Sequence, residues 1–344
     1  MSDIIFNIKK TNKPITRILV IRLQAMGDVL ITQPYLQDLR NKLKSDIEID
    51  FLVREESMNV PINTNIFNNV FIIKGGRNGK AQFLSFMLLY PKLFFKRYDV
   101  CIDLQNHKLS NLIRQILQIK TYSLFDKYSS NYAGLRTQNT INALQLPKVE
   151  FTKITSFKIF NEHDLYAKLN LSIDEEYVVI NPSGAFENRN WNLDNYVEFC
   201  ELWLKKINNK TIFTILGLHT LKPKAEYLKQ KLGSSLIDLT GKTTFIEALH
   251  LLRNTTLVLS EDSGLMHAAY CVGTPTVAIL GSTRSDWVNP NLNHTYFFTS
   301  SDLPCGDCML WQCKFDEIKC LSRIKPIEVL NASIQLLNNQ KANK

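Results

Sequence analysis

No apolar run in the 344 residues approaches the ~20 that a helix needs to cross a bilayer, which excludes a helical membrane-spanning protein. Residues 1–13 are polar and lack the apolar core of a signal peptide, so a cytoplasmic protein is expected. The pattern G-x-x-x-x-G-K-[ST] is missing, which removes the P-loop enzymes, and no G-x-G-x-x-G follows the first strand-like segment, which weakens a dinucleotide-dependent dehydrogenase. No Asp-x-Asp pair follows an apolar strand, so chemistry on a nucleotide donor is not expected to need a divalent metal. No block of basic residues is long enough for a nucleic-acid arm, and there is no short-period repeat. Seven cysteines without an export signal argue against a disulfide framework.

What is present suits a soluble α/β protein of two domains: 45% apolar and 21% charged residues over a length too great for one ordinary core. The net charge of +9 favours anionic partners such as nucleotides or an anionic membrane face. Short apolar strands alternate with longer helical segments in both halves, the pattern of parallel sheets covered on both faces. The first half runs from Ile18–Ile21 through a helix Val29–Leu43 to Tyr98–Leu104. A polar, charged stretch at Glu162–Glu176 is the expected crossing between domains, and a second α/β series begins at Tyr177. The expected division is 1–168, 169–325, and a C-terminal helix in 326–344 that could pack back on the first domain. The aromatic run Phe83–Phe95, with Lys92 and Lys96 near its end, reads either as a helix lying on a membrane surface or as a core helix packed on the sheet. The core helix is expected, because most such stripes are core.

Two loops carry the chemistry. Gln24-Ala25-Met26-Gly27-Asp28 follows the first strand and opens a helix, and Glu261-Asp262-Ser263-Gly264-Leu265-Met266-His267 does the same after Thr256–Ser260. A strand, glycine loop and helix bring free N–H groups and the positive helix end to one place. Asp28 reads as a carboxylate complementing its helix dipole, or as a base that takes a proton from an acceptor hydroxyl. Ser263 or Asp262 can cap the second helix, and the N–H groups of Ser263 to Met266 can face a pyrophosphate, with Gly264 allowing close approach. His267 is a packed helix residue or a phosphate contact. Arg189, two residues before Trp191, is a surface arginine or a cation for a leaving phosphate. Ser183 and Gly184 can add hydrogen bonds, and Trp191 reads as a packing anchor. Cys305, Cys308, Cys313 and Cys320 are spaced C-x2-C-x4-C-x6-C, with only one tight pair. A loop of reduced thiols under Trp311 and Phe315 is therefore expected in preference to zinc.

Taken in order, Ile18–Leu23 with Met26-Gly27-Asp28, Tyr98-Asp99 to Leu104-Gln105, Asn181-Pro182-Ser183-Gly184-Ala185, Arg189-x-Trp191, Thr240-Gly241-Lys242-Thr243, Asp262–His267 and Gly273–Thr283 resemble the ADP-heptose:lipopolysaccharide heptosyltransferases, glycosyltransferase family 9. The likeness runs from Arg17 to Val329. It implies a GT-B architecture, two Rossmann-like domains facing a central cleft, and an inverting transfer of heptose from an ADP-sugar donor to an inner-core lipopolysaccharide acceptor, with no cofactor and no metal. The resemblance assigns the base to Asp28 and the leaving-group cation to Arg189, where the family often has lysine. Donor contacts fall to Ser183, Gly184, Thr243, Asp262, Ser263, Gly264, Leu265, Met266 and His267. An acidic inner core would be met on the first domain by Gly27, Arg54, Lys108 and Arg136. A lipid-bound acceptor and the positive charge together imply peripheral contact with the cytoplasmic face of an anionic inner membrane, and no nucleic-acid partner. Two rival readings are a non-catalytic nucleotide-sugar-binding protein of the same fold and a family 9 transferase using another nucleotide sugar.

Overall fold

A computed structural model describes residues 6–7, by backbone alone, and residues 14–158 and 161–342. The polar N-terminal stretch read above as lacking a signal core therefore lies, apart from that backbone pair, outside the described residues. The chain divides into two units, Met1–Ile159 and Phe160–Lys344.

The first unit runs β1 (Phe6–Asn7), β2 (Arg17–Ile21), α1 (Met26–Lys42), β3 (Glu48–Arg54), β4 (Asn69–Ile73), α2 (Gly79–Lys96), β5 (Val100–Asp103), α3 (Lys108–Ile116), β6 (Thr121–Leu124) and α4 (Ala133–Asn142). Its sheet has the order β1-β6-β5-β2-β3-β4 and is parallel except for β1, which pairs antiparallel with β6. Ile18, Leu19, Val20 and Ile21 are all fully buried, because a parallel strand between two helix layers has no solvent face. Leu19 and Ile21 point to the face covered by Phe86 and Leu93 of α2 and Ile113 of α3. Ile18 and Val20, by alternation, point to the other. The helix expected from Val29 starts earlier, at Met26, because the Asp28 carboxylate accepts the Ala25 N–H at 3.2 Å and satisfies a donor that the helix start would otherwise leave open. Among the described residues no helix is long and apolar enough to cross a membrane.

The second unit runs α5 (Glu162–Lys168), β7 (Tyr177–Asn181), α6 (Leu193–Lys206), β8 (Ile212–Ile215), α7 (Lys222–Leu232), β9 (Leu236–Asp238), α8 (Phe245–Arg253), β10 (Leu257–Glu261), α9 (Gly264–Cys271), β11 (Thr276–Ile279), α10 (Ser285–Val288), β12 (Thr295–Phe298), α11 (Lys319–Ser322) and α12 (Pro326–Ala342). The sheet is fully parallel, in the order β12-β11-β10-β7-β8-β9. The Thr244/Glu247 capping box expected at the start of α8 forms. Helix α5, placed by the sequence reading at the end of the first domain, is fastened here by Lys168 to Glu247 at 2.7 Å and by Glu162 to His250 at 3.4 Å. The last helix also belongs to this unit. Val329, Leu330 and Leu336 of α12 join Trp191, Phe199 and Trp203 in one buried cluster, in place of the return to the first domain that the sequence allows.

From β2 in the first sheet and from β7 in the second, the chain lays down three neighbouring strands in one direction and then returns to the other side of the first of them. The reversals fall between β2 and β5 and between β7 and β10. Open α/β sheets bind ligands outside the carboxyl ends of their strands at such switch points.

Candidate functional site

At the β2/β5 switch point the first unit gathers Arg22, Gln24, Asp28 and Gln105. Asp103, at the end of β5, accepts the N–H groups of Gln105 and Asn106 at 3.1 and 2.8 Å and so shapes the turn after the strand. The Gln105 side-chain oxygen then accepts the N–H groups of Leu23 and Gln24 at 2.9 and 3.1 Å, tying one turn to the other. Arg22 is buried, donates to the Leu104 carbonyl, lies 4.8 Å over the Phe125 ring and pairs with Asp28 Oδ2 at 3.0 Å. Asp28 Oδ2 thus serves both Arg22 and the Ala25 N–H, while Oδ1 has no partner among the described residues. Gly27 sits half-buried in the same helical turn.

A cavity of about 400 Å³ opens beside this group, lined among others by Gln24, Arg54, Arg77, Gln82, Gln105 and His107. Of the three cations expected for an acceptor, the structure brings only Arg54 to it. Arg54 is buried, bonded to Gln24 and to the Glu56 carboxylate. Lys108 is exposed at the head of α3. Arg136 is buried against Phe125 at 5.0 Å and donates to the Asp126 and Lys127 carbonyls, so it braces the turn that carries Phe125.

At the β7/β10 switch point the second unit gathers Asn181, Ser183, Gly184, Arg189, Glu261, Asp262 and Ser263. Ser263 caps α9, accepting the Met266 N–H at 3.3 Å and the Asn181 side-chain N–H at 2.8 Å. The Met266 N–H expected to face a phosphate is therefore taken by the cap, which leaves Gly264 and Leu265 at the open end of the helix. Arg189 is not a surface residue: its side chain is mostly buried and its Nη1 lies 3.0 Å from Asp262 Oδ2, which also accepts the Thr283 hydroxyl at 2.7 Å. His267 is buried, its Nδ1 2.8 Å from the Tyr270 hydroxyl. Trp191 is buried, its indole N–H donating to the Ile324 carbonyl at 3.1 Å. Thr243 lies in the loop after β9, whose Gly241 N–H donates to the Gly217 carbonyl at 2.9 Å.

The loop before α11, which bears Cys305, Cys308 and Cys313, touches the site through other groups. Met309 N–H donates to the Ser282 carbonyl at 2.8 Å, and the Leu310 carbonyl accepts from Asn188 and Ser282. Trp311 and Phe315 do not roof the thiols as expected; both are exposed, and Trp311 meets Phe186 edge-on at 6.4 Å, beside Arg189.

Glu261, which the sequence shows only as one member of its loop, organises that loop. Fully buried at the end of β10, its two carboxylate oxygens accept the N–H groups of Gly184 and Trp191, each at 2.6 Å. The pair of bonds clamps both ends of the segment that bears Arg189. A side chain at Gly184 would meet the Arg189 carbonyl at 2.2 Å, so only glycine fits under this clamp. Tyr196 of α6 and Lys224 of α7 also face the carboxyl, and Lys224 donates to the Pro182 carbonyl at 2.7 Å. Burial pushes Glu261 up to about 7. Since the folded value is raised, its contribution to stability is full below the usual carboxylate range and is lost as pH rises through about 7. The expected result is a melting temperature that falls between pH 5 and 8 more steeply for wild type than for Glu261→Gln, by at least about 3 °C. Parallel curves would remove Glu261 from this role.

The residues 89–319 match the family model for glycosyltransferase family 9 (heptosyltransferase). A lipopolysaccharide heptosyltransferase 1 from Campylobacter coli is 25% identical over 299 residues, covering 78% of this chain and 85% of the relative. Among solved structures, the E. coli ADP-heptose lipopolysaccharide heptosyltransferase II superposes with a TM-score of 0.70 at 17% identity, over 95% of this chain and 100% of that one. E. coli heptosyltransferase WaaC with ADP-2-deoxy-2-fluoro heptose superposes with a TM-score of 0.63 at 18% identity, over 83% and 93%. The shared fold is GT-B, two Rossmann-like α/β domains.

Proposed function

The chain belongs to glycosyltransferase family 9, a family of heptosyltransferases, and from that premise we propose that it transfers a heptose from an ADP-activated donor to an inner-core lipopolysaccharide acceptor, with inversion and release of ADP. The observation that carries the reading is the Asp28 carboxylate: one oxygen is fixed by Arg22 and the Ala25 N–H, and the other has no partner among the described residues. A carboxylate so held can take the proton of an acceptor hydroxyl while that oxygen attacks the anomeric carbon. Charge then grows on the departing diphosphate, and Arg189 with the open end of α9 meets it. Ser183 and Gly184 flank the same place, and Asp262 orients Arg189. The acceptor's anionic core lies against the cavity that Arg54 lines, near Lys108, on an enzyme working at the cytoplasmic face of the inner membrane. With one carboxylate acting as base and none as nucleophile, the transfer is a single displacement. NMR of the product tests this: the anomeric configuration should be opposite to the donor's, and retention would contradict it.

On the acceptor side, Arg54→Ser/Lys108→Ser should raise the acceptor KM about tenfold, leave ADP affinity unchanged and weaken the salt dependence of acceptor use. Arg136→Ser should instead lower the melting temperature, because it removes the brace on Phe125. An unchanged acceptor KM in the double variant would place the acceptor elsewhere.

A further inference from the structure

Helix α2 has two apolar faces, and the sheet covers only one. Phe86 and Leu93 lie in the core with Leu19 and Ile21, as the core-helix expectation required. On the opposite side Leu84 is 65% exposed, Leu88 76% and Phe95 76%, with Phe83 and Met87 at 39% each. Phe83 and Leu84 recur as Met87 and Leu88 four residues on, and Phe95 follows Leu88 by seven, two helical turns, with Pro91 between, so they share one side of the helix over about 18 Å at the rise of an α-helix. A stripe of large apolar side chains facing water calls for a partner.

The charge around the stripe says which partner. Arg77, Lys80, Lys92 and Arg97 are all exposed, and no Asp or Glu occurs between Gly75 and Tyr98. A second copy of the chain would bring these cations against one another. An anionic bilayer would pair them with lipid phosphates while the apolar side chains enter the headgroup boundary. The N-terminal turn of α2 also lines the cavity beside Gln24 and Arg54, through Gln82.

We propose that α2 is a membrane-docking helix whose outer face, Leu84, Leu88 and Phe95 flanked by Lys80, Lys92 and Arg97, seats on an anionic lipid surface. Docked this way, the cavity opens beside the bilayer from which a lipid-anchored sugar is presented. That purpose rests on the acceptor reading above; the docking itself is read without turnover.

Co-sedimentation with vesicles tests it. The wild-type protein should bind vesicles of equal parts phosphatidylglycerol and phosphatidylcholine, bind pure phosphatidylcholine far more weakly, and be released by salt. Leu84→Ser/Leu88→Ser/Phe95→Ser should lower the partition coefficient at least about tenfold while ADP affinity stays as in wild type. Lys80→Gln/Lys92→Gln/Arg97→Gln should weaken binding and flatten its salt dependence. On the unaltered protein, vesicles should slow amide hydrogen exchange along α2. Wild type without preference for anionic vesicles, or a serine variant that binds as wild type, would overturn the proposal. So would a dimer that the serine variant breaks without loss of vesicle binding. Should the serine variant melt early, unaltered exchange along α2 in the wild type would overturn it alone.

Discussion

Asp28→Asn is expected to cut turnover by roughly two orders of magnitude or more, about 2.7 kcal/mol of barrier, while ADP affinity stays close to wild type. Asparagine keeps an oxygen for the Ala25 N–H, so the start of α1 is preserved. It cannot take a proton, and it removes the counter-ion of Arg22. The fold feels that second loss, because Arg22 is buried and, beside the Leu104 carbonyl and the Phe125 ring, keeps only a neutral amide oxygen where it had a carboxylate. A stability decrease of about 1 kcal/mol is expected, the difference between a charged and a neutral acceptor for a buried donor. The two effects separate in a melting curve and a single-turnover assay. An Asn variant that turns over normally would reduce Asp28 to a cap and favour the non-catalytic sugar-binding reading.

Arg189→Ala is expected to weaken ADP binding and slow transfer together, each by at least about tenfold, since the guanidinium meets charge that increases as the bond breaks. The ion pair sharpens the expectation. Asp262 shares Arg189 at 3.0 Å, and with the arginine gone its carboxylate faces an anionic ligand with only the Thr283 hydroxyl for support. Removing the carboxylate as well should therefore restore part of the loss. Arg189→Ala/Asp262→Asn should bind ADP more tightly than Arg189→Ala alone, a coupling that a double-mutant cycle measures. Arg189→Lys should be mild, because it keeps the charge. Additive losses would mean that the pair does not act as a unit.

The sequence made the parallel sheets and both loops legible for one reason. Strands such as Ile18–Ile21 and Leu257–Leu259 are uninterrupted apolar runs, and the residues after them include glycine, a cap and a helix. Arg22 and Glu261 were harder to see, although each is a charged residue closing a buried strand. A charge at that register, where both faces are covered, has to find a partner at the strand end, and that was the available signal. Lys224 gave no signal, because only the fold brings α7 to the Pro182 carbonyl. For α2 the sequence left a membrane-surface helix and a core helix open and favoured the core; only the sheet's coverage shows that one stripe is buried and another left over. Composition alone makes Trp311 and Phe315 a roof over thiols, whereas that loop makes its contacts through the backbone of Met309 and Leu310, the Met309 sulfur, which accepts the Arg284 N–H, and the Asp307 carboxylate, which accepts from Ser285.

The most direct measurement is release of nucleoside diphosphate from a panel of sugar donors by purified protein, with and without an inner-core lipopolysaccharide acceptor. The expected result is ADP release from ADP-heptose that requires the acceptor and is lost in Asp28→Asn, with UDP- and GDP-sugars left intact. Comparable turnover of a UDP- or GDP-sugar, or binding of ADP-heptose with no release when the acceptor is supplied, would contradict it.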